Sequence, residues 1–367
     1  MRRSFGAVLA LVPVLVPALW GAPAATAEPG VVELAALPGG VKGSAVAIND
    51  AGVVVGRSSG ADGKARAVRW DADGRITELA PPAGAQYAKV FGVDADGVAY
   101  GNTSNPEHWS QATRWDADGT AAVLDLLPGG TYSFAVAVND GGTVVGYAGD
   151  AGGERRAIRW DRDGTATVLP GLDDATEATA IDAAGTIAGI ARTADDLTHY
   201  VRWDDGALTD LGVVPGATYS SVADVNGRYV VGRVQRGDRT AFGLRWDGAT
   251  LAEVPTLPDQ SSVLHAIAAD GTAYGQANSR PVRWAADGAV TTMALPAGYN
   301  GGEVTRLNAG GVAAGNAFGR YNRPIRWSPS GEVTLLPVPA GTYGFAQGVN
   351  GHGVVVGEYG GRAVLWP

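Results

Sequence analysis

Two glutamates and one histidine stand within short, mostly apolar runs of this sequence: Glu177, His265 and Glu303. A pair of carboxylates about 5–9 Å apart can cleave a glycosidic bond, and a histidine can move a proton near neutral pH. The three residues are far apart along the chain, so only the fold decides whether their side chains meet. Their types make acid–base chemistry one candidate activity.

Aspartate- and glycine-rich segments could instead hold calcium: DADG at 71–74, 94–97 and 116–119, and DRDG at 161–164. A calcium loop needs about six to eight oxygen ligands, including a late bidentate glutamate, and no glutamate recurs at a fixed distance after these segments. Asp-Gly is also common in tight turns between strands. Patterns such as His-Glu-x-x-His and the phosphate loop do not occur. The sequence therefore predicts turns, no metal site and no cofactor.

Arginine stands immediately before tryptophan seven times, and this series could bind an anion. The arginines are Arg69, Arg114, Arg159, Arg202, Arg245, Arg283 and Arg326. Adjacent residues of a strand point to opposite faces, so the arginines form one series and the tryptophans another. Each guanidinium could instead lie between repeated units, where carbonyls or acids satisfy it. We predict this structural role, because strands away from a central axis cannot aim seven cations at one small ligand.

A repeated unit must position these side chains. The unit tryptophans are Trp70, Trp115, Trp160, Trp203, Trp246, Trp284, Trp327 and Trp366, at intervals of 38–45 residues. A glycine closes a Val/Ala-rich run in every unit: Gly56, Gly101, Gly146, Gly189, Gly232, Gly275, Gly315 and Gly357. Asn or Asp precedes that run in seven units, whereas the sixth has Ala268. We interpret the tryptophans as packing between units and the Asn/Asp series as turn-forming.

Each unit contains four short apolar runs separated by turn residues. In the first unit they are SAVAI (44–48), VVVG (53–56), ARAVRW (65–70) and RITEL (75–79). Runs of this length are typical of strands, and four strands in about 42 residues are typical of a propeller blade. We predict an all-β fold, an eight-bladed β-propeller formed by residues 28–367 as one domain. A β-solenoid is the alternative.

The two ends of the repeat predict how the ring closes. The last unit stops after its third strand, at Trp366-Pro367. The segment VVELAALPGG (31–40) matches AAVLDLLPGG (121–130), which is a fourth strand and its following loop. We therefore expect the N-terminal strand to complete the last blade, which would leave no long unpaired edge.

Departures from the repeat mark the candidate site, because packing favours the same residue in each unit whereas a ligand is bound asymmetrically. First strands line the channel of a propeller, and the loops entering them share a rim with the second-to-third-strand loops. The candidate ligand-binding residues are Tyr87, Lys89, Tyr132, Glu177, Tyr219, Asp224, His265, Glu303, Arg306, Tyr343 and Gln347. Glu177 and Glu303 fall nearly across the ring, which weakens the hypothesis of a two-carboxylate hydrolase. Trp109, in a variable loop, could stack on a sugar or a partner side chain.

The unit resembles the extracellular repeat family named HAF, after a His-Ala-Phe run before Leu-Trp. The resemblance rests on A-x-x-[IV]-N-x-x-G-x-V-V-G followed by a loop and R-A-V-x-W, and RAVLW (362–366) is closest to the pattern. Here no unit has His-Ala-Phe, and arginine replaces the leucine before tryptophan in seven of eight units. The resemblance implies an exported repeat protein, but it supplies no reaction and no catalytic residue.

The first 27 residues predict an export signal. Arg2 and Arg3 precede an apolar run from Phe5 to Trp20, and Ala25-Thr26-Ala27 is a small-residue cleavage site. The run is too short and proline-rich for a good membrane span. Arg2-Arg3-Ser4-Phe5 also resembles a twin-arginine signal. We predict a secreted chain with no membrane span after cleavage.

The amino-acid composition limits the classes of partner that the protein can bind. Cleavage removes two arginines and no acid, which leaves a net charge of 26 − 37 = −11. Such an acidic chain is a poor partner for nucleic acid or anionic membrane. The absence of cysteine excludes disulfides and a thiol nucleophile.

Three functional hypotheses follow. The favoured one is a non-catalytic monomer that binds an extracellular glycan, peptide or protein at its channel rim. The alternatives are an extracellular hydrolase or lyase acting on a polysaccharide, and a structural or assembly protein of the cell envelope.

Overall fold

The computed structural model describes residues 30–104, 109–238, 240–255 and 261–367. These residues form eight four-stranded antiparallel sheets arranged as an eight-bladed β-propeller, which confirms the predicted fold class. The predicted signal peptide, residues 1–27, lies outside the described residues. Across the described ranges, no helix is long and apolar enough to cross a membrane.

Every blade has the same strand order, from the channel outward. The first strands are β2 (Gly43–Ile48), β6 (Tyr87–Val93), β10 (Ser133–Val138), β14 (Thr176–Ile181), β18 (Ala217–Asn226), β22 (Ser262–Ile267), β26 (Gly301–Leu307) and β30 (Gly344–Val349). The second strands are β3 (Val54–Ser59), β7 (Ala99–Ser104), β11 (Val144–Gly149), β15 (Ile187–Arg192), β19 (Tyr229–Arg236), β23 (Ala273–Ala277), β27 (Ala313–Phe318) and β31 (Val355–Tyr359). Blades 1 to 8 are numbered by these strands in chain order.

The outer two strands complete each blade. The third strands are β4 (Ala65–Trp70), β8 (Gln111–Trp115), β12 (Arg155–Trp160), β16 (Thr198–Asp204), β20 (Ala241–Trp246), β24 (Arg280–Trp284), β28 (Arg323–Trp327) and β32 (Arg362–Trp366). The fourth strands are β5 (Ile76–Glu78), β9 (Ala121–Val123), β13 (Ala166–Val168), β17 (Ala207–Gly212), β21 (Leu251–Glu253), β25 (Val290–Thr292), β29 (Val333–Leu335) and β1 (Val32–Glu33).

The ring closes through the N-terminal strand, as the sequence predicts. Strand β1 pairs antiparallel with β32, with Val32 opposite Leu365. Across the same junction, Asn350 Nδ2 donates to the carbonyl of Asn49 at 3.1 Å. The edge of blade 8 is therefore covered by a strand from the other end of the chain.

Every first strand carries a β-bulge at the same place, three residues before the repeat Asn or Asp position. The bulged residues are Val46, Phe91, Val136, Thr179, Ala223, His265, Thr305 and Gln347. Beside each bulge, the repeat glycine of the second strand lies against the first strand. A Cβ on any of these eight glycines would lie 1.8–2.2 Å from a first-strand carbonyl oxygen. The glycine recurs because the bulged first strand leaves no room for a side chain.

The tryptophans join neighbouring blades. Seven donate an indole N–H at 2.7–2.8 Å to a carbonyl just beyond the fourth strand of the preceding blade, as Trp160 does to Asp125. The apolar core lies as eight clusters between blades, such as the one holding Leu124 and Trp160. The predicted packing between units is confirmed. Each of these seven indoles is held by a directional hydrogen bond as well as by burial.

The Asn/Asp series forms turns and also bridges blades. Asn49 accepts the Val53 N–H at 2.9 Å, and its side-chain amide donates to the carbonyl of Asp94 in blade 2 at 2.8 Å. The turn-forming role is thereby confirmed. The same cross-blade amide bond is made by Asn139, Asn226, Asn308 and Asn350. Ala268 of blade 6 has no side-chain group that could make either bond.

Candidate functional site

Large exposed aromatic side chains gather on one face of the ring, which we call the rim face. They lie at the starts of first strands or in second-to-third-strand loops. These two kinds of segment adjoin because the first two strands are antiparallel, as Tyr87 opposite Ser104 illustrates. Among the described residues they are 41–85% exposed: Tyr87, Trp109, Tyr219, Tyr321 and Tyr343. The opposite face, which we call the turn face, carries the aspartate–glycine turns. Aromatic rings with exposed faces can stack on a sugar ring or on a planar side chain.

A group of aromatic and charged side chains joins blades 3 and 4 at the rim. The ring of Tyr132 meets Phe134 edge-on at 6.4 Å, and Phe134 stacks on Tyr147 at 5.1 Å. The Arg155 guanidinium lies 4.7 Å from the centre of the Tyr147 ring and forms an ion pair with Glu177. Burial raises the pKa of Tyr147, and the charge of Glu177 acts in the same direction. Glu177 is therefore committed to a cation and not to a second acid.

The second group lies in the channel, on blades 5 to 7. Asp224 accepts backbone N–H groups of Val225 and of Ile267 in the next blade, both at 2.9 Å. Burial raises the pKa of Asp224 to about 6, although these two hydrogen bonds and the charge of Arg306 oppose the shift. Arg306 donates to the carbonyl of Thr305 at 2.8 Å. Loss of surrounding water lowers the pKa of Arg306, and Asp224 opposes that change. The charges of the two residues act on each other although blade 6 stands between their blades.

His265 occupies the bulge position of blade 6. In blades 4, 7 and 8 the bulged side chain reaches the next blade, as Gln347 does with a 2.8 Å bond to Ser44 Oγ. The Nε2 atom of His265 is buried and has no hydrogen-bond partner among the described residues. Burial lowers the pKa of His265, Glu303 opposes this shift, and the charges of Arg306 and Arg233 add to it. His265 therefore lies within electrostatic reach of three charged side chains.

The other candidate residues have separate neighbours. Glu303 accepts a hydrogen bond from Asn316 at 3.2 Å within blade 7. The Tyr343 ring lies 5.8 Å from Phe345 at the rim of blade 8. Lys89 is exposed on blade 2 and stands opposite Asn102 in the strand register. Lys89 and Tyr343 therefore lie apart from the channel group of blades 5 to 7.

The structure brings five of the eleven candidates together through one residue that sequence analysis missed. Arg233 lies over the ring of Tyr219 at 5.0 Å and acts on the pKa of His265. We call Tyr219, Asp224, Arg233, His265, Glu303 and Arg306 the channel cluster. The other six candidates, Tyr87, Lys89, Tyr132, Glu177, Tyr343 and Gln347, are distributed over blades 2, 3, 4 and 8.

The sequence contains a pattern that points to Arg233 as a functional residue. It follows the repeat glycine of the second strand, and the residues at that position are Arg57, Asn102, Tyr147, Ile190, Arg233, Gln276, Asn316 and Glu358. Seven of these eight carry polar groups, beside an unvarying glycine. Each faces the first-strand position that holds Lys89, Glu177 or Glu303 in other units. Arg233 lies on a second strand, so the departures from the repeat along first strands do not include it.

The arginine series on the turn face is mostly structural. Arg245 donates to the carbonyls of Gly271 and Ala285 in the next blade at 3.1 and 2.8 Å, and Arg326 donates to Gly353 at 2.8 Å. Comparable carbonyl or acid partners bind Arg69, Arg114, Arg159 and Arg202. Arg283 departs from the series, since no partner for its guanidinium occurs in the described part of the chain.

The aspartates of the Asp-Gly segments lie in turns. Within the ranges that the structure describes, no three His, Asp or Glu side chains come close enough to hold a metal ion. The aspartates of the Asp-Gly segments instead bond to nearby backbone, as Asp118 does with the Thr120 N–H at 2.8 Å.

Comparisons with known proteins agree with the fold. No protein-family model matches the sequence, and no curated protein is significantly similar to it. Among solved structures, the chain is similar to a prolyl endopeptidase, with a TM-score of 0.58 and 13% identity over 87% of this chain and 54% of that one. It is similar to a puromycin-hydrolyzing peptidase of Mycobacterium tuberculosis, with a TM-score of 0.51 and 15% identity over 87% and 57%.

A third structure, a streptogramin B lyase, has a TM-score of 0.46 and 12% identity over 91% of this chain and 96% of that one. The chain spans only about half the length of the two peptidases. At these identities the two peptidase structures support the fold alone and carry no activity across.

Proposed function

We propose that this protein is exported and acts as a binding protein that takes up an extracellular glycan or peptide at its rim face. The observation that carries the proposal is the ring of exposed aromatic side chains on that face, Trp109, Tyr219 and Tyr343 among them. Rigid aromatic rings give much contact area with little loss of conformational freedom. The signal-like segment at residues 1–27 and the resemblance to HAF-type repeats support an extracellular place of action.

The channel cluster supports the same proposal. Asp224, Arg306 and His265 supply hydrogen-bond donors and acceptors along the channel, between the rim face and the turn face. Sugars and peptides present hydroxyl, amide and carbonyl groups that such side chains can orient. The aromatic rings would provide contact area, and the polar cluster would provide selectivity.

The test is a binding panel with the purified protein. Oligosaccharides, cell-wall fragments and peptides are compared by shift of the melting temperature, since a ligand at a hundred times its Kd adds about 2.7 kcal/mol of stability. For any ligand found, Tyr219→Ala and Trp109→Ala should each weaken binding by about ten- to thirtyfold. Val290→Ala, an exposed apolar residue of an outer strand, is the matched control. Binding that survives both aromatic substitutions would contradict the proposal.

A second candidate function, an extracellular hydrolase or lyase acting on a polysaccharide, is supported by one observation. His265 lies near Glu303 and Arg306, and Asp224 and His265 have pKa values shifted in opposite directions. Such shifts are frequent at catalytic sites. Turnover of a polysaccharide that disappears in Glu303→Gln and His265→Ala, while Val290→Ala retains it, would favour this candidate over simple binding.

A further inference from the structure

A cavity of about 230 Å³ opens on the turn face between blades 6 and 7. Met293 and Trp327 form apolar parts of its wall. Its polar lining includes Tyr274, Arg283, Ser328 and Ser330. Among the described residues that line it, none is an acid. The cavity therefore concentrates hydrogen-bond donors and one positive charge without a countercharge.

Arg283 is unpaired where its counterparts are bridged. In neighbouring blades, the series arginine donates to the carbonyl of the turn glycine in the next blade, as Arg245 does to Gly271 and Arg326 to Gly353. The corresponding glycine for Arg283 is Gly311, which also lines the cavity. Within the described residues the Arg283 guanidinium makes neither that hydrogen bond nor an ion pair. Ala285 stands where five other units have an aspartate after tryptophan.

Blade 2 shows how a carboxylate can fill this place. Tyr100 occupies the position of Tyr274, and its hydroxyl donates to the buried carboxylate of Asp94 at 3.2 Å. Arg162 of blade 3 lies 3.6 Å from the same carboxylate. A Cβ on Gly142, the counterpart of Gly311, would meet the Asp94 carboxylate at 2.9 Å. The carboxylate thus fills the junction between blades 2 and 3.

Blade 6 keeps the tyrosine and the third-strand arginine of blade 2 but lacks the acid, and Pro329 stands where blade 3 has Arg162. Ala268 replaces Asp94, and Tyr274 stands opposite Arg283 in the strand register just as Tyr100 stands opposite Arg114. Burial raises the pKa of Tyr274, and the charge of Arg283 opposes the shift. Asp270, the acid whose charge also reaches Tyr274, is occupied by the Thr272 N–H at 2.8 Å. A phenol and a guanidinium therefore share a space from which the internal carboxylate has been removed.

We propose that this cavity binds an oxyanion, a carboxylate, phosphate or sulfate group, which takes the place that the Asp94 carboxylate holds in blade 2. Arg283 supplies the charge, and the Tyr274 hydroxyl donates one hydrogen bond. The Ser328 and Ser330 hydroxyls, which lie 2.7 Å apart, supply further donors at the cavity mouth. An ionised acceptor makes hydrogen bonds roughly twice as strong as a neutral one, so the site selects anions over uncharged ligands. It lies on the face opposite the aromatic rim and does not depend on the proposed rim function.

The test is titration of the purified protein with inorganic phosphate, sulfate, acetate and glucuronate at constant ionic strength, followed by calorimetry. At least one anion should bind, and Arg283→Gln should weaken that binding tenfold or more. Tyr274→Phe should weaken it about three- to fivefold. The matched control is Arg280→Gln, an exposed residue of the same strand, which should leave the affinity unchanged. A preference for phosphate or sulfate would indicate a free ion or an esterified polymer, and a preference for glucuronate would indicate an acidic sugar.

A second variant keeps the test decisive if Arg283→Gln folds poorly. Ala268→Asp restores the carboxylate found in blade 2, so it should raise the melting temperature without added anion and abolish anion binding. Val168→Ala, on an exposed outer strand of blade 3, should change neither quantity. Absence of binding by all four anions, or binding unaffected by Arg283→Gln and Ala268→Asp, would overturn the proposal.

Discussion

At the scale of single residues, the protonation of Asp224 in the channel affects the stability of the folded protein. Its carboxylate is held by the N–H groups of Val225 and Ile267, and Arg306 is the nearest compensating charge. Asp182 of blade 4 adds a repulsive negative charge. Burial outweighs these hydrogen bonds and raises the pKa of Asp224 to about 6. The folded protein therefore binds this proton more tightly than the unfolded chain, where an aspartate has a pKa of about 3.9.

The sign of the pH effect follows from this difference. The contribution of Asp224 to stability is fully present below about pH 4, falls as the pH rises through about 6, and is constant above that. Asp224→Asn removes the titration, so its stability relative to the native protein should rise by about 2 kcal/mol between pH 4 and pH 7. Urea unfolding of both proteins at several pH values measures this difference. A stability difference that does not change with pH would show that Asp224 titrates normally.

Asp94 shows what a carboxylate contributes at a blade junction. It accepts the Val98 N–H at 2.8 Å and the Tyr100 hydroxyl at 3.2 Å. Asp94→Ala leaves two buried donors without partners, and we expect a loss of about 3 kcal/mol in the free energy of unfolding. Asp94→Asn keeps one acceptor and should cost about 1 kcal/mol. Urea unfolding at pH 7 compares the two variants. Equal losses would show that the negative charge, which both substitutions remove, supplies the whole effect.

At the scale of the strand, the bulge and the glycine form one structural unit. The bulge brings the first strand against the second, and the repeat glycine is the residue that permits this contact. The bulge also turns residues such as His265 and Gln347 sideways, where Gln347 reaches Ser44 of the next blade. Strict alternation along the first strand therefore stops at the bulge, and side chains on either side of it do not follow one period.

The close contact between the bulged first strand and the repeat glycine predicts that an added methyl group destabilises the fold. A Cβ at residue 146 would lie 1.8 Å from the carbonyl oxygen of Phe134, so Gly146→Ala should cost more than about 3 kcal/mol or prevent folding. Gly153 of the same blade has φ of +82° and open space around it. Gly153→Ala should therefore cost only about 1 kcal/mol of backbone strain. Melting temperatures of the two variants give the comparison, and similar losses would contradict this explanation of the repeat glycine.

At the scale of the whole molecule, the ring depends on one short strand. Strand β1 pairs with β32, and the neighbouring residues Val31, Leu34 and Leu37 are buried. The carbonyl of Ala35 accepts the indole N–H of Trp70 in blade 1 at 2.7 Å. This segment closes blade 8 and also covers the junction with blade 1.

Removal of residues 30–37 should lower the melting temperature by about 10 °C, because about 5 kcal/mol of apolar burial is lost. The exposed edge of β32 should then pair with other copies of the chain, which light scattering would detect. A peptide of residues 30–40 added in trans should restore the monomer, whereas the same peptide with Leu34→Asp should not. A truncated protein that melts like the full chain would show that β1 is dispensable for closure.

The repeat and its turns could be predicted from the sequence because they depend on the spacing of residues that are close along the chain. Tryptophan and glycine recur at nearly constant intervals, and four short runs per interval leave room for four strands. The match between residues 31–40 and 121–130 predicted closure for the same reason, since strand pairing follows pattern. The packing role of Trp160 and the turn role of Asn49 needed only the unit itself.

The meeting of side chains from different blades was decided by the tertiary structure. Glu177 binds Arg155 and not a second acid, and Arg233 joins Tyr219 to His265, because ring curvature and the bulge direct each side chain toward or away from its neighbours. Ala268 was visible in the sequence as an irregular residue, but the cavity around Arg283 exists only where blades 6 and 7 face each other. The sequence determined the blade and the number of blades through short-range periodicity. The tertiary structure determined the sites, because they form between segments about forty residues or more apart.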